Sequence, residues 1–294
     1  MNESLEPLLV RAESLLERLE NWLPPAVSPI DWQQCLAARW QRDGRRGQLQ
    51  ALQVNLQLRL DDLCGVERQV AQLAGNTRQF LRGLPANHAL LWGARGTGKS
   101  SLVRALLAEY AGQGLRLIEI ERDHLADLPR IVDGLAGLPQ RFVLFCDDLS
   151  FEAGEGDYRQ LKSVLDGSLE QAPDNVLLYA TSNRRHLLPE RQSDNQHWQT
   201  VEGEVHPSEA VEDKVALSDR FGLWLSFYPF TQDQYLAVVR HWLQHYTSAA
   251  GLTWEWGRAL ELEAIRWAGG RGNRNGRCAS QFARSWVGRV LLEQ

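Results

Sequence analysis

The chain has 294 residues, a formal net charge of −5, 44% hydrophobic residues and four cysteines. That length suits one large or two modest domains, and the apolar fraction is enough for a packed core. The negative balance excludes a molecule-wide basic footprint for nucleic acid. The widely spaced Cys35, Cys64, Cys146 and Cys278 argue for reduced thiols, and the absence of a basic-then-apolar leader or a membrane-length run argues for a cytoplasmic chain with no membrane partner.

Residues 3–23 repeat Leu5, Leu8, Leu9, Ala12, Leu15, Leu16 and Leu19 at helical spacing, and Pro24-Pro25 ends the pattern. Such a helix either packs on its own domain or binds a partner. Arg39, Arg42, Arg45 and Arg46 gather around Gly44 and Gly47, a stretch that reads as solvated surface or as a contact for phosphate or an acidic partner. Val54, Leu56, Leu58 and Leu60 then alternate with polar residues, as an extended segment does.

From there the pattern becomes strand, helix, strand. Apolar runs fall at 88–92, 115–120, 142–146, 176–181 and 223–227, with helix-compatible stretches between them. Five such units predict a five-stranded parallel sheet with helices on both faces, whose ligands bind at the carboxyl ends of the strands. Residues 184–215 interrupt the rhythm with a polar stretch holding Pro189 and Pro207, which is either a functional loop or an ordered insertion. Beyond 230 the chain reads as helical. Thr231-Gln232-Asp233-Gln234 is a capping box, and the last helix carries the stripe Ala279, Phe282, Ala283, Trp286, Val287, Val290, Leu291.

The strand ends hold the chemistry. Gly93-Ala94-Arg95-Gly96-Thr97-Gly98-Lys99-Ser100 matches the phosphate-binding pattern G-x-x-x-x-G-K-[ST] without a mismatch, between a strand-like and a helix-like run. Its glycines let backbone N–H groups turn inward onto phosphate oxygens, and the helix that continues through Ser101 adds its positive end. Lys99, one of only three lysines in the chain, reaches the β- and γ-phosphates, and the Ser100 hydroxyl suits Mg²⁺. The run at 142–146 ends in Asp147 and Asp148. A buried strand aims such carboxylates at a metal nucleotide, Asp147 toward Mg²⁺ and Asp148 toward the attacking water. The run at 176–181 ends in Thr181-Ser182-Asn183, where Asn183 can bond that water or the γ-phosphate, or simply form a turn. Ser218-Asp219-Arg220-Phe221-Gly222 places Arg220 before the last strand, either as an arginine finger for a neighbouring subunit or as a surface arginine paired with Asp219. Arg271-Gly272-Asn273-Arg274-Asn275-Gly276-Arg277 opens the last helix, with Asn275 as its cap; it is either a solvated basic turn or the place from which Arg277, then Arg274, reaches back to the phosphates.

In this order the segments resemble an AAA+ ATPase. GARGTGKS resembles Walker A, FVLFCDD Walker B, TSN ending at Asn183 sensor 1, SDRFG the arginine-finger box, and NGRCA around Arg277 sensor 2. The longer strings LLWGARGTGKSSLVRALL, FVLFCDDLSFE, LLYATSNRRHLLPE and LSDRFGLWLSFYPF resemble the bacterial family labelled domain of unknown function 815 over roughly residues 50–290. The resemblance implies an AAA+ P-loop NTPase that binds ATP with Mg²⁺ and hydrolyses it, with an N-terminal helical extension (1–60), an α/β core (61–229) and a small helical lid (230–294). It also implies a homo-oligomeric ring or filament with Arg220 acting in trans, and remodelling of a protein or nucleoprotein partner. Most AAA+ members carry Glu where this chain has Asp148. The shorter side chain retracts the carboxylate by one methylene, and a similar Asp-Asp occurs in replication initiators and transposition helpers. The competing expectation is a nucleotide-gated adaptor with slow turnover. Contact with DNA needs positive surface from the Arg39–Arg46 stretch or from a ring pore.

Overall fold

The computed structural model describes residues 30–43, 46–150, 161, 165, 173–184, 199–201, 204–206 and 219–293. The described residues from 32 onward form one compact unit. The expected helix at 3–23 and most of the 184–215 stretch lie outside the described residues.

In chain order the elements are β1 (Ala37–Asp43), β2 (Arg46–Leu52), a 3₁₀ turn (Leu60–Asp62), α1 (Glu67–Leu81), β3 (Ala89–Gly93), α2 (Lys99–Tyr110), β4 (Leu115–Glu119), α3 (Leu128–Leu135), β5 (Arg141–Cys146), β6 (Val176–Ser182), β7 (Gln199–Val201), β8 (Glu204–His206), β9 (Leu223–Phe227), α4 (Gln232–Ala250), α5 (Arg258–Gly270) and α6 (Gly276–Leu292). The main sheet runs β2-β1-β4-β5-β6-β3-β9, and β7 pairs with β8 as a separate antiparallel ribbon.

All five expected strands are present as β3, β4, β5, β6 and β9, mutually parallel. The sheet has seven strands rather than five, because β1 adds parallel to β4 and β2 returns antiparallel along the outer edge. The described part of the expected N-terminal helical extension is therefore a β-hairpin between residues 37 and 52. Its arginines explain why the sequence misled. Arg39 sits 2.8 Å from Glu119 on β4, and Arg42 sits 2.8 Å from Asp127, which also accepts the Trp40 indole N–H at 2.9 Å. These ion pairs and the Trp40–Asp127 bond tie Arg39, Trp40 and Arg42 to β4 and to the 3₁₀ segment ending at Asp127.

The central strands read as unbroken apolar runs because both faces are covered. Every residue of β6 is buried, and so are Phe142 through Cys146 of β5. Burial pushes the Cys146 thiol up to about 12, which keeps it protonated. Two polar devices lock the core. Tyr179 of β6 bonds Asn76 Nδ2 at 3.1 Å and the Thr77 hydroxyl at 2.9 Å. Asn76 in turn holds the backbone of Asn87, just before β3, through both its oxygen and its nitrogen. His88 follows, and its Nδ1 accepts the Leu178 N–H at 3.0 Å. Together they fix β3, the strand that feeds the glycine-rich loop.

Helices α4, α5 and α6 form the C-terminal bundle. Thr231 and Gln234 make the expected reciprocal capping box at the start of α4. Asn275 caps α6 by accepting the Cys278 N–H at 2.8 Å, and Ala279, Phe282, Ala283 and Val287 are buried along its stripe. Among the described residues no helix is long and apolar enough to cross a membrane.

Candidate active site

Parallel pairing brings four strand ends to one edge of the sheet. Gly93 lies beside Phe227, Trp92 beside Ser182, and Cys146 beside Ala180. The residues that follow these ends, the glycine-rich loop, Asp147-Asp148 and Asn183, therefore meet at the mouth of one cleft of about 730 Å³. This is where the crossover rule places a ligand.

The loop needs its glycines for two physical reasons. Gly93 has φ +133°, and a Cβ there would lie 2.0 Å from the Phe227 carbonyl oxygen. Gly96 has φ +78°, and a Cβ there would lie 2.7 Å from the Asn275 amide. The loop is therefore clasped between β9 and the start of α6. The Asn275 amide donates to Arg95 O at 3.0 Å, and the Arg277 N–H donates to Gly96 O at 3.2 Å. Thr97 ties the loop internally by donating to Ala94 O at 2.8 Å. Two helix N-termini, those of α2 and α6, converge here and favour negative charge.

Lys99 is buried, and its ammonium donates to Gly93 O at 2.7 Å, Ala94 O at 2.8 Å and Asn183 Oδ1 at 3.2 Å. Burial pushes its pKa below the ordinary lysine value, while the carboxylates of Asp147 and Asp148 pull toward the charged form. The Ser100 hydroxyl donates to Asp147 Oδ1 at 2.6 Å, and so does the Thr181 hydroxyl at 2.5 Å. A hydroxyl and a carboxylate oxygen at this spacing, open to the cleft, are a donor set suited to a hard cation such as Mg²⁺. Asp148 has φ +54°, the left-handed region rarely used by a residue with a side chain, and among the described residues no other non-glycine shares it. Its N–H donates to the Thr181 hydroxyl at 2.9 Å, and its carboxylate accepts from Asn183 Nδ2. The strained turn thus aims the carboxylate across the cleft.

The structure brings together Arg95 through Ser101, Asp147, Asp148, Asn183 and Arg277 around the cleft, with Gly93 and Ala94 supplying carbonyls to Lys99. Arg274 instead accepts the Phe230 N–H through its backbone oxygen and is not part of the cleft wall. Arg220 is placed elsewhere. It precedes β9, whose first residue Leu223 pairs with Ala89 at the far end of β3, so a five-residue strand of roughly 16 Å separates it from the loop. Within this chain Arg220 lies at the opposite end of the sheet from this cleft.

The sequence reading passed over other wall residues. Gln281 and Arg284 line the cleft four and seven positions after the expected Arg277, on the same face of α6. Arg284 donates to the Tyr246 hydroxyl at 2.7 Å. Trp242 of α4 stacks on Tyr246 with centroids 5.6 Å apart and, with Phe230, Leu63 and Val66, gives the cleft an apolar wall beside the loop. No local pattern joins these four, since they come from three separated segments.

A family model described as "Protein of unknown function (DUF815)" matches residues 33–290. The chain belongs to this family. No curated protein sequence matches it. Among solved structures, a RuvB mutant from Thermotoga maritima shares 18% identity over 77% of this chain and 64% of its own, with a TM-score of 0.50. The Orc1 protein of Aeropyrum pernix, solved in complex with DNA, shares 17% identity over 76% of this chain and 61% of its own, with a TM-score of 0.51. The chain therefore spans less than two thirds of either. The likeness shows that this DUF815 member shares the α/β fold of these two proteins.

Proposed function

We propose that this chain binds ATP with Mg²⁺ and hydrolyses it within a homo-oligomer, coupling nucleotide state to assembly and to remodelling of a protein or nucleoprotein partner. The observation that carries the reading is the convergence of Lys99, Ser100, Asp147, Asp148 and Asn183 on one cleft beneath two helix N-termini. The loop N–H groups and Lys99 hold the phosphates, and the apolar wall around Trp242 takes the base. Ser100 and Asp147 would hold Mg²⁺, which supplies charge neutralisation at the β- and γ-phosphates. Asp148 accepts the proton of the attacking water, and Asn183 orients that water or the γ-phosphate. Arg277, on the helix that clasps the loop, couples phosphate occupancy to the lid. Arg220 acts on the cleft of the next subunit, which its position at the opposite end of the sheet supports.

Purified protein is expected to release phosphate from ATP, and Lys99→Ala to abolish that release. Wild-type release no greater than that of Lys99→Ala in any oligomeric state would refute hydrolysis. A slow nucleotide-gated adaptor is the second reading, favoured by the Asp148 carboxylate being engaged by Asn183 and lying 3.6 Å from Arg95. It predicts ATP-dependent oligomerisation by light scattering without appreciable turnover. With Arg39 and Arg42 paired to Glu119 and Asp127, DNA contact on that edge must compete with those carboxylates. Salt-sensitive DNA binding lost on neutralising the two arginines would favour a nucleoprotein partner.

A further inference from the structure

Within the glycine-rich loop one side chain has no part in shaping the loop. The backbone of Arg95 is fixed, since its carbonyl accepts from the Asn275 amide at 3.0 Å. Its guanidinium reaches across the cleft mouth to within 3.6 Å of Asp148 Oδ2, and the side chain is 79% exposed, so it is able to swing. The other Asp148 oxygen accepts from Asn183 Nδ2, and Asn183 Oδ1 accepts from Lys99. Lys99, Asn183, Asp148 and Arg95 thus form one polar chain spanning the place between the loop and the Asp148 turn. A carboxylate carries one negative charge. A terminal phosphate carries nearly two and three acceptor oxygens, and a planar guanidinium binds it with charge-assisted, bidentate bonds.

We infer that Arg95 is a γ-phosphate sensor supplied by the loop itself: it leaves Asp148 for the terminal phosphate of a nucleoside triphosphate and thereby frees that carboxylate for water. The inference rests on the nucleotide reading above. A diphosphate offers no group at that position, so Arg95 distinguishes triphosphate from diphosphate. The exchange also passes the signal onward, because the same residue's carbonyl is held by Asn275 at the head of α6.

The test is equilibrium binding to full-length wild type, Arg95→Ala and Arg95→Lys, with Mg²⁺, using a fluorescent N-methylanthraniloyl ADP and competition by the β,γ-imido analogue of ATP. Arg95→Ala is expected to lose about tenfold or more in affinity for the triphosphate analogue and less than about twofold for the diphosphate. Arg95→Lys, which keeps the charge without the fork, is expected to fall between them. An equal loss for both nucleotides overturns the sensor role, as does an unchanged or tightened triphosphate affinity, which would make Arg95 a latch that opposes binding. Wild type that binds neither nucleotide overturns the nucleotide reading and this inference with it.

Discussion

His88 gives the clearest quantitative test of how the sheet supports the cleft. It immediately precedes β3, and its Nδ1 accepts the Leu178 N–H at 3.0 Å, so the native ring must be neutral on that nitrogen. Burial lowers its pKa from 6.5 to about 4. Between those values the unfolded chain binds a proton that the native one does not. The stabilisation is therefore complete above pH 6.5 and is lost as pH falls toward 4. At about 1.36 kcal/mol per pH unit, about 2 kcal/mol disappears between roughly pH 7.5 and pH 5, and about 3 kcal/mol by about pH 4. His88→Asn keeps an acceptor near the Leu178 N–H and does not titrate. Urea unfolding of both proteins at the two upper pH values should show stability falling by about 2 kcal/mol more in wild type than in His88→Asn. Identical pH dependence in the two would refute the reasoning.

Other substitutions probe neighbouring supports. Asn76→Ala is expected to cost about 2–3 kcal/mol in urea unfolding, because it strips partners from the Asn87 N–H and carbonyl. Tyr179→Phe leaves Thr77 bonded to Leu73 O and Asn76 bonded to Asn87, and is expected to cost only about 1 kcal/mol. Gly93→Ala places a Cβ 2.0 Å from the Phe227 carbonyl at φ +133°, so soluble yield or thermal midpoint should fall sharply. Asn275→Ala removes both the α6 cap and the bond to Arg95 O. A loss of about 1 kcal/mol is expected, together with weaker nucleotide binding, whereas the cap alone would affect only stability.

What was legible in the sequence depended on how local the physics is. The glycine-rich loop and the two carboxylates ending β5 follow from short-range rules, and buried parallel strands announce themselves as unbroken apolar runs. The β1–β2 hairpin was not legible because its arginines read as solvated until Glu119 and Asp127, some 80 residues away, are brought beside them. Trp242 and the Lys99–Asn183 contact were hidden for the same reason, since each depends on a pairing across the fold. Arg220 shows the converse case. The sequence marked the residue, but only the register of β9 against β3 shows that it lies away from its own cleft.

That placement sets the most direct test of an ATP site completed between subunits. Lys99→Ala disables the cleft of a subunit but leaves its Arg220 intact, and Arg220→Ala does the reverse. Each variant alone is expected to release no phosphate from ATP above background, and an equal mixture is expected to regain a measurable fraction of wild-type release. Active wild type with a mixture as silent as either folded variant would contradict the account.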